Sequence, residues 1–112
     1  KEIVADIGKD MLEKLGYKIL VAPGGTEAIK IFSANRDQVK LVILDMIMPD
    51  MSGGETFNRL KAIKPDAKIL LSSGYSLNGR ASKIMQQGCN GFIQKPFNLK
   101  QISRKIREIL DA

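Results

Sequence analysis

The sequence predicts an α/β protein built on a doubly wound parallel sheet, and three observations carry that prediction. Segments with a hydrophobic period of 3.6 take turns with short continuous apolar runs, the runs are β-branched and aliphatic, and Pro or Gly punctuates the junctions. Strands alternating with helices at this spacing call for right-handed crossovers that put helices on both faces of one sheet.

Each element can be justified in order. Val4, Ile7, Met11 and Leu15 recur at helical spacing through residues 2–15, and Gly16 follows as a stop, so a first helix is expected there. Tyr17 to Ala22 is a strand closed by Pro23-Gly24-Gly25, and a second helix runs from Thr26 to Ala34. Lys40 to Asp45 is the next strand; its unbroken aliphatic run, Leu41 to Leu44, suits a strand covered on both faces. Met46 to Gly53 is a loop whose Pro49 and Gly53 read as punctuation, with Met46, Met48 and Met51 as adaptable packing, and Glu55 to Lys64 is a helix ended by Pro65. Lys68 to Ser72 is a strand with a polar exit, Ser73-Gly74-Tyr75-Ser76; a helix from Asn78 to Gln87 stops at Gly88. Phe92 to Gln94 is a short strand ending in Lys95-Pro96. Asn98, with Gln101 three residues on, then caps a last helix whose stripe is Leu99, Ile102, Ile106, Ile109 and Leu110.

Composition narrows the function. A chain of 112 residues holds about one domain, able to bury roughly two thirds of its unfolded surface. Hydrophobic content of 44% with 27% charged residues is ordinary globular composition, and no apolar stretch approaches the roughly 20 residues that span a bilayer, so a soluble chain with no membrane partner is expected. The lone Cys89 forms no internal disulfide, which fits the reducing cytoplasm, and the absence of His excludes His-based catalysis and His metal sites. The net charge of +6 invites a nucleic-acid reading, yet the basic residues are spread along the chain. The densest group, Lys100, Arg104, Lys105 and Arg107, falls on the polar side of a helix, and aromatic residues for base stacking are few, so direct nucleic-acid binding is not expected.

The strand exits point to chemistry. Successive strands end in Asp45, Ser73 and Lys95, and in a parallel sheet such ends lie side by side at the carboxyl edge, where ligands bind. A carboxylate, a hydroxyl and an ammonium at one edge suit a phosphoryl group: Asp45 accepts it as nucleophile, Ser73 donates a hydrogen bond to one oxygen and Lys95 neutralises another. Singly, Asp45 also reads as a helix cap, Ser73 as a turn hydroxyl, Phe92 as core and Lys95 as a solvated edge residue; the joint pattern favours the site.

Leu44-Asp45-Met46-Ile47-Met48-Pro49-Asp50-Met51-Ser52-Gly53, Leu71-Ser72-Ser73-Gly74 and Gln94-Lys95-Pro96-Phe97 together resemble the motif blocks of response-regulator receiver domains, at matching spacing and over essentially the whole chain. The resemblance implies a flavodoxin-like fold with strand order 2-1-3-4-5. It implies that Asp45 takes a phosphoryl group from a phosphohistidine of a sensor histidine kinase or phosphotransfer protein, with Ser73 and Lys95 in the roles above. It also implies that Ser73 and Phe92 act as the switch pair and that the Lys95-Pro96 bond is cis. Ile47 and Tyr75 fall where the family tunes dephosphorylation, and the last-helix surface is a homodimer face in the family. Such a domain catalyses its own Mg²⁺-dependent phosphorylation, and in some cases dephosphorylation, without being an enzyme in the ordinary sense.

One departure stands out. The family's first strand, with the acidic pair that holds Mg²⁺, is expected upstream of Lys1, which leaves Asp45 and the Ile47 carbonyl as the metal ligands in this sequence. A (βα)5 receiver lacking its first strand, incomplete at its amino terminus, would have an unpaired seam in mid-sheet unless another segment filled the slot. Two further readings follow: a pseudo-receiver that binds partners without phosphorylation, and a small flavin- or nucleotide-binding α/β protein for which Gly24-Gly25-Thr26 is the one candidate phosphate loop. The Leu71 to Ser76 wording resembles receivers attached to hybrid sensor kinases, while stand-alone and transcription-factor architectures stay open.

Overall fold

The protein, seen in a computed structural model that describes residues 2–5, 9–46, 50–74 and 79–112, alternates strand and helix throughout. The elements are β1 (Glu2–Ala5), α1 (Lys9–Glu13), β2 (Lys18–Val21), α2 (Gly25–Asn35), β3 (Val39–Asp45), α3 (Gly53–Ile63), β4 (Ile69–Ser73), α4 (Gly79–Gln86), β5 (Gly91–Gln94) and α5 (Leu99–Leu110). All strand pairs are parallel, in the order β2-β1-β3-β4-β5. This is the doubly wound, flavodoxin-like sheet.

The amino-terminal segment corrects the sequence reading. Residues 2–15 were expected to form one helix and the central strand to be absent, yet Glu2–Ala5 is itself the central strand, paired with β2 on one side and β3 on the other. The apolar spacing of this segment suits a helix, but β2 and β3 each present a row of backbone donors and acceptors that would otherwise be unpaired inside the sheet. Satisfying both rows outweighs a local periodicity, and the β-branched Ile3 and Val4 are good strand formers. The helix therefore shortens to Lys9–Glu13, and Gly16, at φ 89°, still ends the turn that follows it.

The two faces of the sheet hold separate cores. Val42 and Leu44 of β3 and Ile69 and Leu71 of β4 pack against Phe32 of α2, Phe57 and Leu60 of α3, and Ala81 and Ile84 of α4. Leu41 and Ile43 of β3, Leu70 of β4 and Ile93 of β5 pack against Leu12 of α1 and Ile102, Ile106 and Ile109 of α5. The continuous aliphatic run of β3 is thus explained, since its alternate residues serve opposite faces and both are covered.

The last helix has the expected capping box, with Asn98 accepting from the Gln101 amide and Gln101 reaching back to the Asn98 amide, both at 2.8 Å. Its stripe is narrower than expected. Ile102, Ile106 and Ile109 are buried, but Leu99, the first residue of the helix, is exposed. Helix α3 starts before Glu55 because Ser52 caps it, its hydroxyl accepting from the Glu55 amide at 3.1 Å.

Candidate functional site

Three adjacent strands deliver the predicted trio to one edge. Asp45 is the last residue of β3 and lies in register with Ser72, while Ser73 ends β4 in register with Gln94 of β5, one residue before Lys95. The ladder continues past the strand ends, with the Met46 amide donating to the Ser72 carbonyl at 3.0 Å and the Lys95 amide to the Ser73 carbonyl at 2.7 Å. These bonds fix where the three side chains start.

Lys95 crosses over β4 and its ammonium donates to Oδ2 of Asp45. The Asp45 side chain is 14% exposed and that of Lys95 28%, so the pair is sheltered yet open to a small anion at the rim. Ser73, between them on the middle strand, is 4% exposed. Asp45 and Lys95 therefore touch, and Ser73 shares their edge. The Lys95-Pro96 peptide bond is cis. Phe92 is half-buried and packs against the core shared with α3 and α4. Ile47 and Tyr75 lie outside the described residues.

The loop after Asp45 is held by contacts that periodicity and motif reading did not anticipate. Asp50 turns back to α2, where its Oδ1 accepts from the Gly25 amide at 2.9 Å and its Oδ2 from the Thr26 amide at 3.1 Å. The Thr26 hydrogen bonds, side chain first and then backbone, hold the Asp50 carboxyl below its usual pKa. Gly53 is more than punctuation: a Cβ there would come within 3.0 Å of Met46 Cα and 3.2 Å of the Asp45 carbonyl oxygen, so glycine lets α3 start this close to the end of β3 without displacing its backbone. The sequence signal for Asp50 was its place five residues after Asp45, but its partner, a helix start far away in the chain, is invisible without the fold.

This cap bears on the nucleotide-binding reading. The amides of Gly25 and Thr26, the donors a phosphate would need, already serve the Asp50 carboxylate. An incoming anion would have to displace that carboxylate and face its charge, so the fold does not favour Gly24-Gly25-Thr26 as a phosphate loop.

For a hard divalent cation, the described residues supply Asp45 as an oxygen ligand, and among them no group of three acidic or other metal-ligating side chains converges. The Ile47 carbonyl and the residue after Ala5, Asp6, lie outside the described residues. Asp45 suits such an ion in chemistry; the described donors alone do not complete a site. No described helix is long and apolar enough to cross a membrane.

The family model for the response regulator receiver domain matches residues 1–107. The sensor kinase CckA of Brucella abortus is 33% identical over 104 residues, which is 93% of this chain and 11% of that protein. The first curated relatives are much longer, and the chain spans from 11% to 42% of their lengths. Among solved structures, a response regulator receiver domain protein from Clostridium thermocellum superposes with a TM-score of 0.90 at 27% identity, covering 98% of this chain and 93% of the other. The receiver domain of the sensor histidine kinase PA1611 from Pseudomonas aeruginosa, solved with a magnesium ion in its active-site cleft, shares the fold with a TM-score of 0.86 at 21% identity, covering 100% and 98%. Receiver domains are signalling modules that interact with histidine kinases and phosphotransfer proteins, and they typically bind Mg²⁺. With the motif blocks, the fold and the match over residues 1–107 in agreement, the chain belongs to the family of response-regulator receiver domains of two-component systems.

Proposed function

We propose that this domain is an active phosphoacceptor of a cytoplasmic phosphorelay, with Asp45 as the acceptor. The observation that carries the reading is the ion pair between Asp45 and Lys95, which gathers a nucleophile and a cation at the carboxyl edge beside the Ser73 strand end. A sensor histidine kinase or phosphotransfer protein presents phosphohistidine over this edge. One Asp45 carboxylate oxygen attacks phosphorus in line; the O–P bond forms as the N–P bond breaks, and the imidazole nitrogen keeps the electron pair.

Negative charge then moves from the carboxylate to the phosphoryl oxygens. Lys95 follows it, exchanging its carboxylate bond for one to a phosphoryl oxygen, and the Ser73 hydroxyl donates to another. Asp45 and the Ile47 carbonyl would help to hold a bound Mg²⁺, which would supply further neutralisation of that charge. Ile47 and Tyr75 shield the acyl phosphate from water and set its lifetime.

The output surface lies next to the switch pair. Phe92, Gln94, Asn98, Lys100, Gln101 and Arg104 line a groove of about 440 Å³ between β5 and α5. Movement of Ser73 toward the phosphoryl group lets Phe92 repack and changes this groove, shifting a pre-existing equilibrium; this face is also where a homodimer would form. Full reversal from 1:99 to 99:1 needs about 5.5 kcal/mol of differential interaction, more than two new hydrogen bonds supply, so the shift is partial. The charge is spread over a helix face rather than gathered into a nucleic-acid surface, and the outputs are protein contacts.

The test is labelling with radioactive acetyl phosphate. Wild type takes up label in the presence of Mg²⁺ and loses the capacity on chelation with EDTA, while Asp45→Asn takes up none. Persistent labelling of Asp45→Asn would move the acceptor elsewhere, and an unlabelled wild type would favour a pseudo-receiver.

A further inference from the structure

The groove between α3 and α4 has no part in the chemistry above, and its two walls differ in charge. It holds about 450 Å³, with apolar surface from Met46 and Ile84, Arg80 and Lys83 on the α4 side, and Gly54 and Asn58 on the α3 side. Arg80 and Lys83 stand three apart on one helix, the spacing that sets two side chains next to each other. Both are exposed, and among the described residues neither makes an ion pair. The exposed Glu55 and Arg59 of α3, by contrast, pair with each other at 3.0 Å. Among the described residues no acid lines the groove, so its cationic wall has no counter-charge of its own.

Gly54 points the same way. Glycine inside a helix is a poor helix former, and nothing around this one requires it. The positive-φ glycines among the described residues are Gly16 and Gly88, so a side chain at Gly54 would not strain the backbone. A Cβ there would meet Ile84 Cδ1 at 4.0 Å, an ordinary contact. Gly53 beside it has no room for a side chain, whereas Gly54 has room that is left empty. The missing side chain keeps bare backbone on the groove wall, the arrangement that lets another molecule come close.

We propose that the α3–α4 groove is a docking site for an acidic, amphipathic segment of a partner protein, with its carboxylates on Arg80 and Lys83 and an apolar side chain over Gly54 against Ile84 and Met46. The cationic wall sets the sign of the partner: arginine takes a carboxylate through two parallel hydrogen bonds, and lysine takes another as a point charge. Shape selects a polypeptide. Small ligands bind where roughly 70–90% of their surface is enclosed, but the rim residues Arg80, Lys83 and Asn58 are exposed and leave this groove open on its outer side. An amphipathic helix laid in it buries one face and keeps the other in water. The site is separate from the groove between β5 and α5, and Met46, the residue after Asp45, brings its wall up to the end of β3. Docking needs no phosphoryl group, so the inference goes beyond the phosphoacceptor reading and does not depend on it.

The experiment titrates the unphosphorylated domain into a fluorescein-labelled helical peptide made of three repeats of Glu-Leu-Ala-Glu, read by fluorescence anisotropy, with the matching Lys-Leu-Ala-Lys peptide as the control of opposite charge. Wild type binds the acidic peptide and not the basic one, and the amides of Met46, Gly54, Asn58 and Ile84 shift in NMR spectra on binding. The double variant Arg80→Ala, Lys83→Ala loses affinity about tenfold or more. Lys100→Ala with Lys105→Ala, which removes the same charge from α5, changes it less than about twofold, within what distant exposed charges contribute. Gly54→Leu covers the wall without altering charge and also loses affinity about tenfold, while its thermal midpoint stays at or above that of wild type. Equal losses in the α4 and α5 double variants would show attraction to net charge alone and overturn the inference. Wild-type affinity in Gly54→Leu would overturn it, as would a wild type that ignores the acidic peptide. A response of the same amides to benzoate but not to the peptide would replace it with a small-molecule site.

Discussion

The Lys95 ammonium reaches Asp45 across an intervening strand, so the two charges meet at a half-sheltered rim. Neither side chain is exposed enough for water to replace that contact fully, nor buried enough for desolvation to dominate. A double-mutant cycle with Asp45→Asn and Lys95→Met is expected to give a coupling energy of about 1.5–3 kcal/mol, read from urea unfolding of the four proteins. A coupling near zero would mean that the pair is loose in solution and that Lys95 is not held ready for a phosphoryl group. At this scale the sequence showed the residue types and their order, but not that the Lys95 ammonium reaches Asp45 directly. That outcome depends on side-chain length, which lets a lysine span the intervening strand.

At the scale of elements, the loop after β3 is stitched to the start of α2. Gly24, the helix N-cap, has no side chain with which to cap, and Asp50 supplies the missing carboxylate from across the molecule. Because hydrogen bonds to Thr26 lower the Asp50 pKa in the fold, its contribution to stability is present above the unfolded value near 3.8 and is lost as pH falls through the lower folded value. Asp50→Asn should therefore be less stable than wild type at pH 6–7, and the gap in thermal midpoint should narrow as pH falls below the unfolded value near 3.8 and through the lower folded value. A gap that is independent of pH would show that the carboxylate charge contributes nothing. The capping box of α5 was legible because both partners, Asn98 and Gln101, are local; the cap of α2 was not, because its halves are joined only by the fold.

For the whole molecule, two cores on opposite faces share a single sheet, and β4 feeds both: Leu71 faces α3 and α4, Leu70 faces α5. Leu71 is fully buried one residue before the buried Ser72, so the packing that sets the height of the site is continuous with the core. Leu71→Ala is expected to cost about 2–5 kcal/mol of folding stability by denaturant titration, the range for a buried leucine that leaves a cavity. A cost below about 1 kcal/mol would mean that α3 and α4 close over the gap. The central strand belongs to this scale as well. Glu2–Ala5 opens a segment whose apolar residues recur at helical spacing, and two strand edges in need of partners, with the β-branched Ile3 and Val4, make it β1.

The sequence by itself determined the alternation of strand and helix, the buried run of β3, the local cap of α5 and the placing of Asp45, Ser73 and Lys95 at successive strand ends, because each is written in periodicity, propensity or adjacency along the chain. Only the folded chain settles that residues 2–5 form the middle of the sheet, that Lys95 grips Asp45, that Asp50 closes α2 and that Ser72 lies buried in register with Asp45. Those outcomes turn on hydrogen-bond partners and burial contributed by residues distant in sequence, and no local pattern encodes who the partner will be.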